Sequence, residues 1–417
     1  MKDKPFALHL DGNSYYAAIE AAQDPDLRGK PLAVCGDPEA RHGIVLTKSQ
    51  AAKLAGVKTG MAIWQAKMCC PSLIIVPPDY PLYLRYTRRI RNMLHDLTDY
   101  VEPYGLDEAW AQVWAKDYGE AKEIADGIRE RMKRELGITA SIGVSWNKVF
   151  AKLGSDYKKP DATTVITQDN YKELVWTLPA ADMLFVGVSS ARKLAKFGVF
   201  SVGDLAKADV DILTRHLGKN GAMLKGFALG QDTTPIMRAS EAPPEKSFGN
   251  STTTPHDIST IDAAKCILYL LAECVSMRMR NKGFRARCVS VWLRSPDLKS
   301  ATKQRALRFA THSTDEIART AVELFADRFA KDMPYRSVGL NCTLLEPIDG
   351  PVQMDMFEDG EAGKKRDKLE RLDFVLDGLY KRFGRCVERG VTKFDSLYAK
   401  TDANKHINPS PGFYTGH

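Results

Sequence analysis

Hydrophobic and polar positions alternate weakly along "FALHLD" (residues 6–11), which predicts a first strand that ends at an acid. "NSYYAAIEAAQ" follows with helical spacing and offers Asn13 or Ser14 as its cap. "GKPLAVC" reads as a strand, and "KSQAAKLAGVKTGM" as a short helix that stops near Gly56 or Gly60. In "YPLYLRYTRRIRNMLHDL" apolar residues recur near i, i+3 and i+4, the mark of a long amphipathic helix. A hairpin at "YGLDEAW", a helix over roughly 118–136 and a strand at "ITASIGVS" complete a first segment of alternating strands and helices. Such a mixture predicts a layered α/β (α+β) fold, with helices packed on a sheet.

The pattern then changes twice. Residues 171–230 read as helical, broken by short glycine-marked turns. "ASEAPPEKSFGNSTTTP" (239–255) opens with a proline-containing linker, and from there to about 346 the order is strand, helix, strand, strand, helix, strand. The helices fall near 261–281 and 314–331, and the later strands are "RARCVSVWLR", "QRALRFAT" and "RSVGLNCTLL". The remainder holds "QMDMFED" and then a charged helix near 363–383. These shifts predict a multidomain chain, and 417 residues fit two to four domains.

Composition narrows the picture modestly. With 44% hydrophobic and 27% charged residues the chain is ordinary for a soluble globular protein. No apolar run approaches the roughly 18 residues that span a bilayer, and "MKDKPFALHL" lacks the long apolar core of a signal peptide; a cytoplasmic protein with no membrane partner is expected. The eight cysteines are scattered without a C-x-x-C pair, so they read as reduced thiols. Net charge is +8, and residues 246–346 carry 16 Lys+Arg against 10 Asp+Glu, an excess of +6 in about a quarter of the chain. A basic segment of that kind suits a polyanion such as nucleic acid, although a solvated basic surface has the same composition.

The candidate chemistry centres on "YGLDEAW", where Asp107 and Glu108 stand side by side before an apolar run. An acidic pair can be a solvated turn, a helix cap or half of a surface ion pair. Neighbouring strand residues point to opposite faces, so two adjacent acids converge only at a turn or a distorted strand end. Pro103 and Gly105 can supply that turn. The sharper reading is therefore a hairpin-tip pair for a hard cation such as Mg²⁺, completed by a carboxylate from elsewhere. Asp11, closing the first strand, is the natural third; two ions held by such a trio clamp the attacking and leaving oxygens of a nucleotidyl transfer.

"FALHLDGNSYYAAIE", "RGKPLAV", "LAGVKTGM", "YGLDEAW" and "GVSWNKVFAKLGSDYKKP" resemble, in order and spacing, the motifs of Y-family translesion DNA polymerases. The UmuC-type branch looks closest, because an asparagine, Asn13, stands two residues after the first aspartate. The resemblance covers about residues 5–350 and implies a right hand: palm in 1–28 and 77–166, fingers in 29–76, thumb in 167–238, a linker at 239–246, a little finger in 247–346 and a tail over 347–417. It implies two Mg²⁺ ions on Asp11, Asp107 and Glu108, with the Gly12 carbonyl completing a shell. Tyr16 matches the aromatic that stacks under the incoming sugar and excludes a 2′-hydroxyl, Tyr15 would pack beside the nucleotide, and Lys53 and Lys159 match basic positions for the triphosphate. Three departures stand out: Gln50 and Lys53 replace a Tyr and an Arg of the fingers, Gly105 replaces a frequent Ser, and Phe185 replaces the first glycine of a helix-hairpin-helix in "LFVGVSSARKLAKFG".

The same resemblance makes Arg278, Arg280, Lys282, Arg285 and Arg287 candidates for DNA phosphates, contacts that position a duplex without reading it. "QMDMF" resembles the peptide that docks bacterial polymerases on the sliding clamp, through Gln353, Met354, Met356 and Phe357. Primer–template DNA, deoxynucleoside triphosphates, the clamp and accessory subunits are the implied partners. The implied activity is template-directed, Mg²⁺-dependent, low-fidelity DNA synthesis for lesion bypass, without proofreading. The alternative is a catalytically weak or inactive homologue that binds DNA and clamp; a degenerate polymerase has no chemical reason to keep all three acids. A nucleotide cyclase is disfavoured, since it needs neither the basic segment nor "QMDMF".

Overall fold

The computed structural model describes residues 3–37, 43–241, 243–350, 360–384, 387 and 389–393. The chain divides into two compact units, the second formed mainly from Pro243 onward. The first unit runs β1 (Lys4–Gly12), α1 (Tyr15–Gln23), β2 (Leu32–Cys35), β3 (Val45–Lys48), α2 (Gln50–Leu54), α3 (Ile63–Cys69), β4 (Ile74–Val76), α4 (Tyr80–His95), β5 (Val101–Tyr104) and β6 (Glu108–Ala115). It continues with α5 (Tyr118–Leu136), β7 (Ala140–Ser145), α6 (Lys148–Tyr157) and β8 (Thr163–Val165). The short helices α7 (Tyr171–Leu174), α8 (Val188–Ala195), α9 (Val202–Lys207), α10 (Val210–Leu217) and α11 (Lys219–Ala228) follow.

The main sheet has the order β5-β6-β1-β7-β8, with β1 central and antiparallel to both neighbours. Alternation along β1 sorts its side chains. Phe6, Leu8 and Leu10 enter a core with Ile19 of α1, Tyr83 and Ile90 of α4, and Met132 of α5. Ala7, His9 and Asp11 take the other face, where Ala7 packs with Trp110 and with Ala151 of α6. Gly143 of β7 lets α6 lie against this face, because a Cβ there would stand 1.8 Å from the Ala151 carbonyl oxygen. A smaller sheet, β3-β2-β4, carries α2 and α3 on its own core.

The second unit is a four-stranded sheet, β11-β10-β12-β9, from β9 (Ser247–Ile258), β10 (Phe284–Arg294), β11 (Ser300–Thr311) and β12 (Tyr335–Pro347). Helices α12 (Ile261–Asn281) and α13 (Thr314–Arg328) cover one face, with Val289, Val291, Leu293 and Leu340 of the sheet meeting Leu268, Leu271, Ala321 and Phe325. On the opposite face Ser290 lies between Gln304 and Asn341, and Trp292 between Thr302 and Gly339, with Ser251 beyond Gly339. Two further helices, α14 (Gly360–Phe383) and α15 (Gly390–Lys393), end the described chain. No described helix is long and apolar enough to cross a membrane.

One local expectation needs correction. Ser14 occupies the N-cap of α1 but has φ 49° and makes no side-chain cap. Asn13 does not cap the helix either. Its amide reaches Thr139 Oγ1 and accepts from Ser141, while its backbone N–H donates to the Thr139 carbonyl. Asn13 ties the end of β1 to β7 instead of opening α1.

Candidate active site

The three acids meet at one sheet end because strand register and a glycine turn put them there. Asp11 pairs with Glu108 in the β1–β6 ladder, and both point to the α6 side. Gly105 turns the hairpin at φ 85°, a conformation costly for a residue with a Cβ, and leaves Asp107 in the loop immediately before β6. The Gly12 N–H then donates to the Asp107 carbonyl at 2.9 Å, which pins the tip of the hairpin to the end of β1. Two neighbouring acids thus share a site because one belongs to the turn and the other to the strand.

Two lysines of the "NKVFAKLGSDYKKP" stretch close on these acids. Lys159 Nζ is 2.6 Å from Asp11 Oδ2 and 2.7 Å from Asp156 Oδ1. Lys152, on α6, donates to Glu108 Oε2 and lies 5.2 Å over the ring of Tyr104. The three carboxyls respond differently. Burial, with the charges of Glu108 and Asp107, pushes Asp11 up to about 7 in spite of Lys159. Burial and Glu108 push Asp107 up to about 6. For Glu108 burial acts upward too, but the contacts with His9 and Lys152 outweigh it and bring the group down to about 2.

As arranged here, no three His, Cys, Asp or Glu side chains among the described residues converge tightly enough to hold one ion. Each lysine instead holds one of the carboxylates, Lys159 that of Asp11 and Lys152 that of Glu108. The donor set nevertheless fits a hard divalent cation, since Asp11 is buried, Asp107 half-buried, burial and the neighbouring carboxylates raise the proton affinity of both, and their oxygens are the ligands Mg²⁺ prefers.

The remaining candidates scatter. Tyr16 is half-buried and stacks on Tyr83 with ring centroids 4.3 Å apart and planes 11° apart. Tyr15 is 3% exposed and its hydroxyl donates to the Tyr83 carbonyl; it supports the floor under Gly12 and offers no surface to a nucleotide, which corrects the placement expected for it. Lys53 is exposed on α2, where Gln50 opens the helix, and Lys48, which the sequence reading passed over, donates to Thr59 Oγ1 nearby. Phe185 keeps the hairpin conformation in spite of its side chain, with φ 67° and 61% exposure.

The basic cluster of the second unit comes apart. Arg280 is buried, held by Asp377 at 2.6 Å and by Asp373 at 3.3 Å, both from α14, and by the His312 carbonyl. It cannot meet a phosphate, and the expectation for it is withdrawn. Arg278 donates to the Gly249 carbonyl at 2.6 Å and is half-buried. Lys282 is 3.6 Å from Glu245, Arg285 donates to the carbonyls of Pro347 and Gly350, and Arg287 is 3.7 Å from Glu346. Gln353, Met354, Met356 and Phe357 lie outside the described residues.

Two functional neighbours escaped the sequence reading. His9 is wholly buried beside Glu108, and Lys152 sits on it. A signal existed for the lysine, since Lys148 and Lys152 share a helix face at i,i+4; Lys148 binds Glu102 at 2.5 Å. For His9 the only hint was its place two residues before Asp11 on the same strand face.

Known proteins bear on this geometry. The fold matches a Y-family DNA polymerase chimera of Dbh and Dpo4, with a TM-score of 0.71 at 24% identity over 81% of this chain and 98% of that one. DinB from Sulfolobus solfataricus matches over the same shares with a TM-score of 0.55. The architecture is thus that of a Y-family DNA polymerase. The impB/mucB/samB family model matches residues 10–156 and the model of its C-terminal domain residues 245–356. DNA polymerase IV of Acetivibrio thermocellus is 43% identical over 391 residues, 93% of this chain and 97% of that protein. DNA polymerase IV 1 of Bacillus subtilis is 36% identical over 95% and 96% of the two chains. The chain belongs to the impB/mucB/samB family of Y-family translesion DNA polymerases. These relatives carry the polymerase IV name, so they point away from the UmuC-type branch that Asn13 suggested.

Proposed function

We propose that this chain adds deoxynucleotides to a primer 3′-hydroxyl, releases pyrophosphate, and does so with two Mg²⁺ ions held by Asp11, Asp107, Glu108 and the Gly12 carbonyl. The observation that carries this reading is the opposition of Asp11 and Glu108 in register, with Asp107 tied to Gly12 by a backbone hydrogen bond. Ions bound there would supply positive charge to the attacking and leaving oxygens. Lys159, which holds Asp11, would be the residue to offer its ammonium to triphosphate oxygens if a cation balanced that acid. Lys53 on α2 adds a second point charge, without the bidentate grip of arginine. Tyr16, braced by Tyr83, presents a fixed ring edge to the sugar.

The reaction has no covalent intermediate, and no second set of acidic motifs offers a proofreading nuclease; synthesis of low fidelity follows. The helix-free face of the second unit, polar apart from Trp292, suits a DNA backbone, with Arg285 and Arg287 on the same sheet. Gln353–Phe357 would dock on the sliding clamp, and the chain would work in the cytoplasm. Primer extension in EDTA tests the metal requirement: synthesis is expected to stop and to return with Mg²⁺, and synthesis that persists in EDTA overturns it. Clamp stimulation should vanish in Phe357→Ala; stimulation that survives removes the docking role.

A further inference from the structure

His9 is a buried polar side chain that the reaction outlined above does not use. Its ring is fixed on three sides. Nδ1 is 2.8 Å from Ser155 Oγ, Nε2 is 3.2 Å from Glu108 Oε2, and the ring meets Trp110 edge-on with centroids 4.9 Å apart. The placement follows from the packing already described. His9 pairs with Gly143 in the β1–β7 ladder, and the bare Gly143 lets α6 approach until Ser155, itself wholly buried, reaches the imidazole.

Counting protons limits what this arrangement can be. A serine hydroxyl has one hydrogen, and Ser155 has two acceptors in reach: the Lys152 carbonyl at 2.8 Å and His9 Nδ1. If the hydrogen goes to Lys152, Nδ1 must carry the imidazole proton and donate to Ser155. A neutral ring would then turn the bare lone pair of Nε2 toward a carboxylate oxygen, which is repulsive. A cationic ring would avoid that, but the ring is wholly buried and the Lys152 ammonium already neutralises Glu108 beside it. If Ser155 donates to Nδ1, Nε2 carries the proton and faces Glu108 as a donor. Nε2 has no other partner and does not yet make a well-aligned hydrogen bond.

We propose that Ser155 and His9 are positioning residues for Glu108: the Ser155 hydroxyl fixes the Nε2–H tautomer of His9, and that N–H, with Lys152, holds Oε2 so that Oε1 is left for the metal. Outer partners of this kind orient metal-binding carboxylates and are typically worth about 10–100-fold in metal affinity. The inference rests on the metal-site reading of Asp11, Asp107 and Glu108.

The test has two readouts besides activity. Nitrogen-15 NMR of the full chain in EDTA should show His9 as a neutral ring protonated on Nε2, shifting toward the other tautomer in Ser155→Ala. Mn²⁺ alone, followed by electron paramagnetic resonance, should bind about tenfold more weakly to Ser155→Ala and to His9→Leu. His9→Gln, which keeps a donor near the Nε2 position, should recover most of that loss. A native ring protonated on Nδ1, or on both nitrogens, overturns the proposal. So does native Mn²⁺ affinity in both Ser155→Ala and His9→Leu. Should His9→Leu fail to fold, the small Ser155→Ala change and the native spectrum still decide. Asp107→Ala serves as the control: Mn²⁺ binding that ignores it contradicts the metal-site reading, whereas the tautomer tests the relay separately.

Discussion

Lys159 holds Asp11 across 148 positions of sequence, with its ammonium 2.6 Å from one carboxylate oxygen. The pairing joins the residue proposed for the triphosphate to the residue proposed for the metal, so that on this account one charge would serve two anions in turn. Replacing it should separate binding from chemistry. Lys159→Ala is expected to raise KM for the incoming nucleotide by roughly 10–100-fold, the worth of a hydrogen bond to a charged group, with a smaller change in kcat. Steady-state kinetics at saturating primer check this, and an unchanged KM removes Lys159 from the triphosphate.

The raised proton affinities of Asp11 and Asp107 have consequences for stability. Their folded values, about 7 and about 6, lie above the ordinary 3.8. A carboxyl raised on folding favours the folded state while both states keep the proton, and that contribution is lost as pH climbs through the folded value. Asp11→Asn and Asp107→Asn should therefore match the native chain near pH 4 and exceed its stability increasingly as pH rises, levelling off above about 7 for Asp11 and about 6 for Asp107. Urea unfolding at these pH values checks the sign, and a native chain that gains on the variants with rising pH contradicts it.

The same protons compete with metal. Apparent Mn²⁺ affinity should fall steeply from pH 8 to pH 5.5, as Asp11 and then Asp107 retain their protons. Glu108, at about 2, stays ionised throughout and contributes none of that slope. Titration calorimetry over this range reads it directly; an affinity flat with pH would place the ion elsewhere.

Arg280 makes a structural prediction where a DNA contact was expected. Removing it leaves Asp377 without its cation and Asp373 with Arg389 alone, and breaking a buried pair costs roughly 3–5 kcal/mol. Arg280→Met should lower the unfolding midpoint of the chain while leaving the slope of log DNA affinity against log salt unchanged. A reduced slope with native stability would return Arg280 to the DNA.

Phe185 should yield a stabilising glycine. Its left-handed backbone costs on the order of 1–2 kcal/mol for a residue with a Cβ, against roughly 0.5–1 kcal/mol of extra unfolded-state freedom for glycine. Because the ring is mostly exposed, Phe185→Gly is expected to leave stability equal or slightly higher, measurable by thermal unfolding. A clear loss would mean the ring packs more than its exposure implies.

What could be read from the sequence was whatever depends on local period. The strand ending at Asp11, the helix over 118–136, the hairpin at Asp107 and Glu108 and the strand–helix order of the second unit all appear where alternation or 3.6-residue spacing places them. What could not be read depends on partners distant in sequence. Ser155 and Lys152 reach His9 and Glu108 because α6 settles on Gly143, and Arg280 meets Asp377 because α14 lies 97 positions away in sequence yet packs beside it. Tyr15 and Tyr16 are adjacent in sequence, and local pattern did not separate the buried ring from the one beside it.

Primer extension on an undamaged template with Mg²⁺, comparing the native chain with Asp107→Ala/Glu108→Ala, tests the metal-dependent polymerase most directly. Extension by the native chain that disappears in the double variant, while DNA binding persists, is the expected result. Extension that survives the double substitution, or none from the native chain even with sliding clamp present, would contradict it.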